Sequence, residues 1–106
     1  MPLLLAKRKR VALPSNFRSR RTKAFRQLYD DLPEEGQRQA QRAYLLFKHD
    51  PAHPSLGFKP VITAGVQAYS VEIGAHYRAL GTLRGDTLYW YWIGSHEAYN
   101  KVVKRR

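Results

Sequence analysis

The chain has no cysteine among its 106 residues. A disulfide framework and a thiolate metal site are therefore both excluded, and the absence fits a reducing compartment. No apolar run approaches the roughly 20 residues that a membrane-spanning helix needs. The apolar residues 3–6 are too short for the hydrophobic region of a signal peptide, and they precede a basic cluster instead of following one. We therefore expect a cytoplasmic protein that does not bind a membrane.

Acidic residues are also scarce, since 8 Asp and Glu face 19 Lys and Arg, for a net charge of +11. The imbalance is concentrated near the start of the chain. Nine basic residues lie between Lys7 and Arg26, and the first acid is Asp30. Such a field attracts polyanions and accelerates encounter with them. Nucleic acid is the first candidate partner and an acidic protein the second, with an ordinary solvated surface as the remaining alternative.

The length predicts one domain with a small core. An apolar content of 43% argues against disorder along the whole chain. Residues 1–17 are interpreted as a basic arm, in which 3–6 or 10–13 could add a short edge strand. Residues 18–106 form the single folded domain.

Two helices are predicted in the first half of this domain. Apolar side chains at a helical spacing indicate a helix over residues 19–31: Phe25, Leu28, Tyr29 and Leu32. Pro33 ends it, and Asp31 is the expected N-cap of a second helix that stops before Pro51. The buried stripe of this second helix is predicted to be Ala40, Ala43, Tyr44 and Phe47. The short connection favours an antiparallel helix hairpin.

The second half has the alternating pattern of strands. Residues 58–62 predict a strand that Pro60 confines to a sheet edge. Between Ala68 and Tyr99, three apolar segments separated by glycine turns predict an antiparallel meander. Ser95 can cap a short last helix. The predicted fold class is α+β, with the helix hairpin packed on one face of a small antiparallel sheet and a short C-terminal helix.

Arg78 stands in the middle of an otherwise apolar strand. An unpaired buried charge is costly, so this side chain must reach solvent or find a partner. One interpretation is a structural salt bridge with Glu72 or Glu97. The other is a guanidinium fork that binds phosphate, which suits arginine better than lysine.

His96 lies where the last strand gives way to the last helix. An imidazole titrates near neutral pH and can donate or accept a proton, although a single histidine here is more often a capping or surface residue. Tyr99 falls on the same helical face and could stack on a base or hold a phosphate. His76 and Tyr77 flank Arg78, and Glu97 could orient an imidazole.

The run Tyr89-Trp90-Tyr91-Trp92 suggests base stacking, but aromatic residues are also favoured in strands. We expect both tryptophans to lie in the core and to share one face of the sheet. His49 and His53 are separated by Pro51 and do not form a helical metal pair. We predict no metal site and no cofactor.

The order of elements, with DPAHPSLGFKPV followed by YSVEIGAHYRALGTLRGDTLYWYWIGSHEAY, resembles the RelE/ParE superfamily of bacterial type II toxins. The resemblance covers about residues 22–103. Many members of this superfamily are ribosome-dependent mRNA endonucleases, others poison DNA gyrase, and a cognate antitoxin neutralises them. The resemblance implies that Arg78 contacts the scissile phosphate, that His96 is the general acid or base and that Tyr99 is a C-terminal aromatic of the site.

Two departures from the superfamily pattern matter. The RelE branch carries two lysines on the strand before the Tyr-Arg strand, where this chain has Ser70 and Glu72, so a lysine-based mechanism is not expected. The customary first strand is also not evident, and a basic arm stands in its place.

The leading hypothesis is a toxin that cleaves ribosome-associated mRNA and needs no metal for the reaction. Its expected partner is an acidic antitoxin. Its catalytic residues are Arg78, His96 and Tyr99, supported by His76, Tyr77 and Glu97. Nucleic acid would contact Arg18, Arg20, Arg21, Lys23, Lys59 and Arg84. The alternatives are a non-enzymatic inhibitor of DNA gyrase and a non-toxic basic nucleic-acid-binding module.

Overall fold

The computed structural model describes residues 13–14 and 16–104. Five strands and three α-helices follow one another in the order β1 (Arg18–Arg21), α1 (Lys23–Asp30), α2 (Glu34–His49), a 3-10 turn (Pro54–Leu56), β2 (Lys59–Thr63), β3 (Val66–Ile73), β4 (Tyr77–Arg84), β5 (Thr87–Ser95) and α3 (His96–Lys104). None of the helices in this part of the chain is both long and apolar enough to cross a membrane.

The strands form one sheet in the order β1-β5-β4-β3-β2. Strand β1 pairs parallel to β5, and the other three pairings are antiparallel. Helices α1 and α2 pack on one face, which we call the hairpin face, and α3 packs on the other, which we call the α3 face. The predicted α+β architecture is confirmed, and the proline-containing strand β2 lies at an edge as expected.

The start of the first helix was predicted wrongly. Residues 18–21 form strand β1, and α1 begins at Lys23 with Thr22 as its cap, whose Oγ1 accepts a hydrogen bond from the Phe25 amide at 3.1 Å. The apolar helical spacing begins only at Phe25, so it never required a helix at Ser19. Instead, Ser19 Oγ accepts a 2.8 Å hydrogen bond from the indole of Trp90 on β5. The customary first strand is therefore present. The edge strand considered at residues 3–6, and residues 10–12 of the alternative at 10–13, lie outside the described residues.

The second helix also begins differently from the prediction. Pro33 is its N-cap position, without a side-chain cap, and Asp31 instead closes α1 through its amide, which donates to the carbonyls of Gln27 and Leu28. Because the Asp31 amide continues the first helix, this residue cannot also start the second. Glu34 in the first turn and Lys48 in the last turn suit the helix dipole.

Phe47 is the centre of the core on the hairpin face. Its ring is 2% exposed and meets three other rings edge-on, with centroids 5.5 Å from Phe17, 5.1 Å from Phe58 and 5.5 Å from Trp90. Truncating a phenylalanine at such a site costs about 3–5 kcal/mol. The core therefore joins the segment before β1 to α2 and to the middle of the sheet.

The predicted buried stripe of α2 is correct at Ala40 and Phe47, but Tyr44 is 41% exposed. Gly36, Ala40 and Phe47 define the buried line of this helix. At about 100° per residue, Tyr44 lies to one side of that line. It packs under Lys48, whose Nζ is 5.6 Å from the ring centroid.

The two tryptophans do not share a face, contrary to the expectation. The pairing of β4 with β5 shifts between Leu80 and Gly81, so that Leu80 faces Trp92 while Gly81 faces Trp90. This β-bulge leaves Tyr91 as an extra residue and reverses the alternation beyond it. Trp90 therefore stays on the hairpin face against Phe47, whereas Trp92 turns to the α3 face.

Candidate active site

Arg78 lies on the α3 face of the sheet, near the end where β3 turns into β4. Its cross-strand neighbours are Glu72 on β3 and Gly94 on β5. Gly94 leaves room for the Trp92 ring, because a Cβ there would lie 2.7 Å from Cζ2 of that ring. The Trp92 indole and helix α3 therefore line the part of β4 that carries Arg78.

The guanidinium of Arg78 has two neighbours on this face. Its Nη1 donates a 3.0 Å hydrogen bond to the Tyr77 carbonyl, and its Cζ lies 5.9 Å from the centroid of the Tyr99 ring. The second distance is within the range of a cation–π contact. A guanidinium has five N–H donors in a planar fork, so these contacts orient the group and leave donors for an anion.

The structural salt bridge considered for Arg78 is not formed. Within residues 13–14 and 16–104, the single ion pair joins Arg38 to Glu35 at 3.2 Å. Glu72 is opposite Arg78 in the register, but its carboxylate lies against Gly57, where an added Cβ would be 2.8 Å from Oε2. The carboxylate that could have neutralised Arg78 therefore lies beside Gly57.

Tyr99 packs between α3 and the sheet and is only 8% exposed. Its hydroxyl donates a 3.2 Å hydrogen bond to Ser70 Oγ, and its ring centroid lies 6.3 Å from that of Trp92. A side chain enclosed in this way has no open ring face on which a base could stack. The geometry gives Tyr99 a place beside Arg78, underneath the site.

Two histidines meet at the same end of the sheet. The amide of His96, the first residue of α3, donates a 2.7 Å hydrogen bond to the carbonyl of His76 in the turn before β4. Both residues are exposed. As predicted, Ser95 caps the helix, because its Oγ accepts from the Ala98 amide at 3.1 Å. Capping therefore does not occupy the His96 imidazole.

Tyr77 and Glu97 are placed less directly. Tyr77 points to the hairpin face, where its ring covers Gly36 so closely that a Cβ there would be 2.8 Å from Cζ. It contributes its carbonyl to Arg78, not its hydroxyl. Glu97 is exposed in the first turn of α3. In the described part of the chain its carboxylate makes no hydrogen bond to an imidazole.

The basic residues assigned to nucleic acid are all exposed: Arg18, Arg20, Arg21, Lys23, Lys59 and Arg84. The register puts Arg18 and Arg84 on either side of Thr87, and Arg20 beyond Tyr89, on the same face as Arg78. At about 3.3 Å per residue, this basic end of β4 lies roughly 20 Å from Arg78. Arg21 pairs with Trp90 and belongs to the hairpin face.

Sequence reasoning missed two members of the site. Ser70 was noted only as a replacement for lysine, but it is 2% exposed and holds the Tyr99 hydroxyl. Trp92 was predicted to share the face of Trp90. The β-bulge at Tyr91 moves Trp92 to the α3 face, and the alternating pattern of the strand does not indicate it.

No group of three His, Cys, Asp or Glu side chains suited to a metal occurs in the described ranges. His53 has a local role, since its Nδ1 accepts a 3.1 Å hydrogen bond from the Ser55 amide at the start of the 3-10 turn.

A family model described as ParE-like toxin domain matches residues 34–101. YafQ from E. coli BL21(DE3) superposes with a TM-score of 0.64 at 9% identity, over 79% of this chain and 98% of that one. A copper-bound mutant toxin from Helicobacter pylori gives 0.61 at 19% identity, over 78% and 98%. The toxin–antitoxin complex RelBE2 from Mycobacterium tuberculosis gives 0.60 at 17% identity, over 76% and 98%. No curated protein matches the sequence.

Proposed function

The chain belongs to the ParE-like toxin family, within the RelE/ParE superfamily of type II toxins, and from this premise we propose that it is a metal-independent endoribonuclease that cleaves mRNA on the ribosome in the cytoplasm. The proposal rests on the contacts that the Arg78 guanidinium makes. The guanidinium is held by the Tyr77 carbonyl and the Tyr99 ring and has no carboxylate partner among the described residues.

The reaction is attack of a ribose 2′-OH on the adjacent phosphorus. The new O2′–P bond forms while the P–O5′ bond breaks, which gives a 2′,3′-cyclic phosphate and a 5′-hydroxyl. Arg78 stabilises the charge that develops on the phosphorane oxygens. One of the two exposed histidines accepts the 2′ proton and the other donates a proton to O5′. His96 is the first choice for one of these roles, and His76 is the candidate for the other because its carbonyl accepts a hydrogen bond from the His96 amide.

The distribution of charge supports a polyanionic substrate. Arg18, Arg20 and Arg84 lie on the face of the sheet that carries Arg78. Single-stranded RNA that contacts these cations could pass its backbone toward Arg78 along the strand direction. Lys59, whose register partner is Ser70, faces the same side from the opposite edge.

An acidic antitoxin is the proposed protein partner. One structural relative was solved as a toxin–antitoxin complex, and a net charge of +11 favours association with an acidic chain. Co-expression with the product of a neighbouring reading frame should relieve growth arrest if that product binds this protein.

The test is to induce the protein in bacteria and to map the new mRNA ends. Cleavage should leave 5′-hydroxyl ends, and the purified protein with ribosomes should keep its activity in EDTA. His96→Ala should lower the rate by about 10²–10⁴-fold, and Arg78→Ala by about 10²–10³-fold. His49→Ala is the matched control, because His49 is an exposed histidine at the end of α2, away from this site. A fully toxic His96→Ala variant would exclude the assigned role.

Inhibition of DNA gyrase is the second candidate, because the matching family model is ParE-like. In that case induction should cause DNA breaks without new mRNA ends. Arg78→Ala and His96→Ala would then change neither the breaks nor growth arrest beyond any change in folding.

A further inference from the structure

Two contacts, which join three residues, lead from the buried sheet surface to the cation of the site. Ser70 Oγ, on a residue that is 2% exposed, accepts a 3.2 Å hydrogen bond from the Tyr99 hydroxyl. The Tyr99 ring in turn lies 5.9 Å from the Arg78 guanidinium carbon. The three residues come from β3, α3 and β4. The contacts therefore tie the helix that walls the site to the strand that carries the cation.

We propose that Ser70 is a positioning residue. Its hydroxyl fixes the ring of Tyr99, and this ring fixes the plane of the Arg78 guanidinium for phosphate. The inference rests on the proposed function only for its consequence on RNA cleavage, since the orientation of Arg78 is a property of the free protein.

The physical reason lies in how few other restraints this arginine has. An arginine side chain has a large rotamer entropy, and in the described residues the Tyr77 carbonyl is its single hydrogen-bond partner. One hydrogen bond leaves rotation about the Nη1–oxygen direction, whereas a ring beside the guanidinium limits that rotation. The ring can do so only if it does not tilt, and its hydroxyl is anchored in the buried sheet surface by Ser70.

The direct test is the mobility of the Arg78 side chain, measured by ¹⁵N relaxation of its Nε–H group in the free protein. The signal is assigned by its loss in Arg78→Lys. In the native protein we expect an order parameter near the value of about 0.85 that a rigid backbone amide has. Ser70→Ala and Tyr99→Phe should each lower it to below about 0.6, whereas Ser70→Thr, which keeps the hydroxyl, should not. Ser55→Ala is the matched control, because it removes a serine hydroxyl that contacts His53.

The consequence for activity is tested with the same variants. Ser70→Ala and Tyr99→Phe should each lower kcat for RNA cleavage by about 10–100-fold, as expected for a misplaced catalytic group, with little change in KM. Because both act through one contact, the double variant should be no slower than the slower single variant. Multiplicative losses would contradict the proposal.

The two assays separate this inference from the proposed function. If the native protein cleaves no RNA but Arg78 becomes mobile in Ser70→Ala, the nuclease proposal fails and the positioning role stands. If the Arg78 order parameter is the same in the native protein, Ser70→Ala and Tyr99→Phe, the positioning role is overturned whatever the activity. Thermal unfolding shows whether a variant has lost its fold. If Ser70→Ala does not fold, the Arg78 order parameters of Ser70→Thr and Tyr99→Phe decide whether the positioning role stands.

Discussion

The hydrogen bond between Trp90 and Ser19 predicts how firmly strand β1 is held on the sheet. Trp90 is 5% exposed, and its indole Nε1 donates to Ser19 Oγ at 2.8 Å. Ser19→Ala removes the acceptor and leaves a buried donor unpaired. Such a group costs about 1–3 kcal/mol. Ser19 is half-buried on an edge strand, so water can replace part of the interaction, and we expect about 1 kcal/mol.

For a domain of this size, 1 kcal/mol corresponds to a fall in Tm of about 4–8 °C. The measurement is thermal unfolding by circular dichroism at one pH and salt concentration. The matched background is Trp90→Phe, which removes the donor. There, Ser19→Ala should change the free energy of unfolding by less than about 0.5 kcal/mol, because the partner is already absent.

Two results would refute this reasoning. One is a Tm for Ser19→Ala that equals that of the native protein, and the other is a full additional loss in the Trp90→Phe background. The first would mean that this hydrogen bond does not hold β1, and the second that the Ser19 hydroxyl acts through a contact other than the Trp90 indole. A confirmed coupling would show that the core anchors the strand that presents Arg18 and Arg20 on the α3 face.

Three further predictions concern the site, the charged surface and the dependence on pH. Gly94→Ala should destabilise the protein by about 1–3 kcal/mol, measured by denaturation, because its Cβ would lie 2.7 Å from a tryptophan ring carbon. Arg20→Ala should lower the slope of log binding constant against log salt by about 0.7 for single-stranded RNA, whereas Arg38→Ala, on the opposite side of the fold, should not. Hydrogen bonds from Gln39 and then Arg38 lower the pKa of Glu35 below its ordinary value of 4.5. The Glu35 contribution to stability is therefore present above that value and lost as pH falls through the folded pKa, and Glu35→Gln should flatten this part of a stability–pH profile.

The helices and the three long strands could be predicted because their signals are local. The helical spacing that begins at Phe25 involves only residues that are close together in sequence. The same is true of the alternation on either side of Gly85. Strand β1 could not be predicted in this way. It is four residues long, three of them arginine, and its partner begins at Thr87. Only a contact between distant parts of the sequence makes residues 18–21 extended.

The residues of the site also differ in whether a local sequence pattern indicates them. Arg78 and His96 stood out because a cation and an imidazole are unusual where a strand is otherwise apolar or ends. Ser70 did not stand out, since a serine in a strand carries no pattern and its partner Tyr99 is 29 positions away. The place of Trp92 depended on the bulge at Tyr91, which strict alternation does not predict.

In this chain, the residues at the two positions where the RelE branch carries lysine make structural contacts. Ser70 holds the Tyr99 hydroxyl, and Glu72 packs against Gly57. Neither residue carries a positive charge, so in the proposed reaction the phosphorane would be stabilised by Arg78. A single fork must be well oriented to replace several cations, because electrostatic stabilisation depends on preorganised donors. Ser70 at one of these positions and the buried Tyr99 ring beside Arg78 therefore belong to one arrangement.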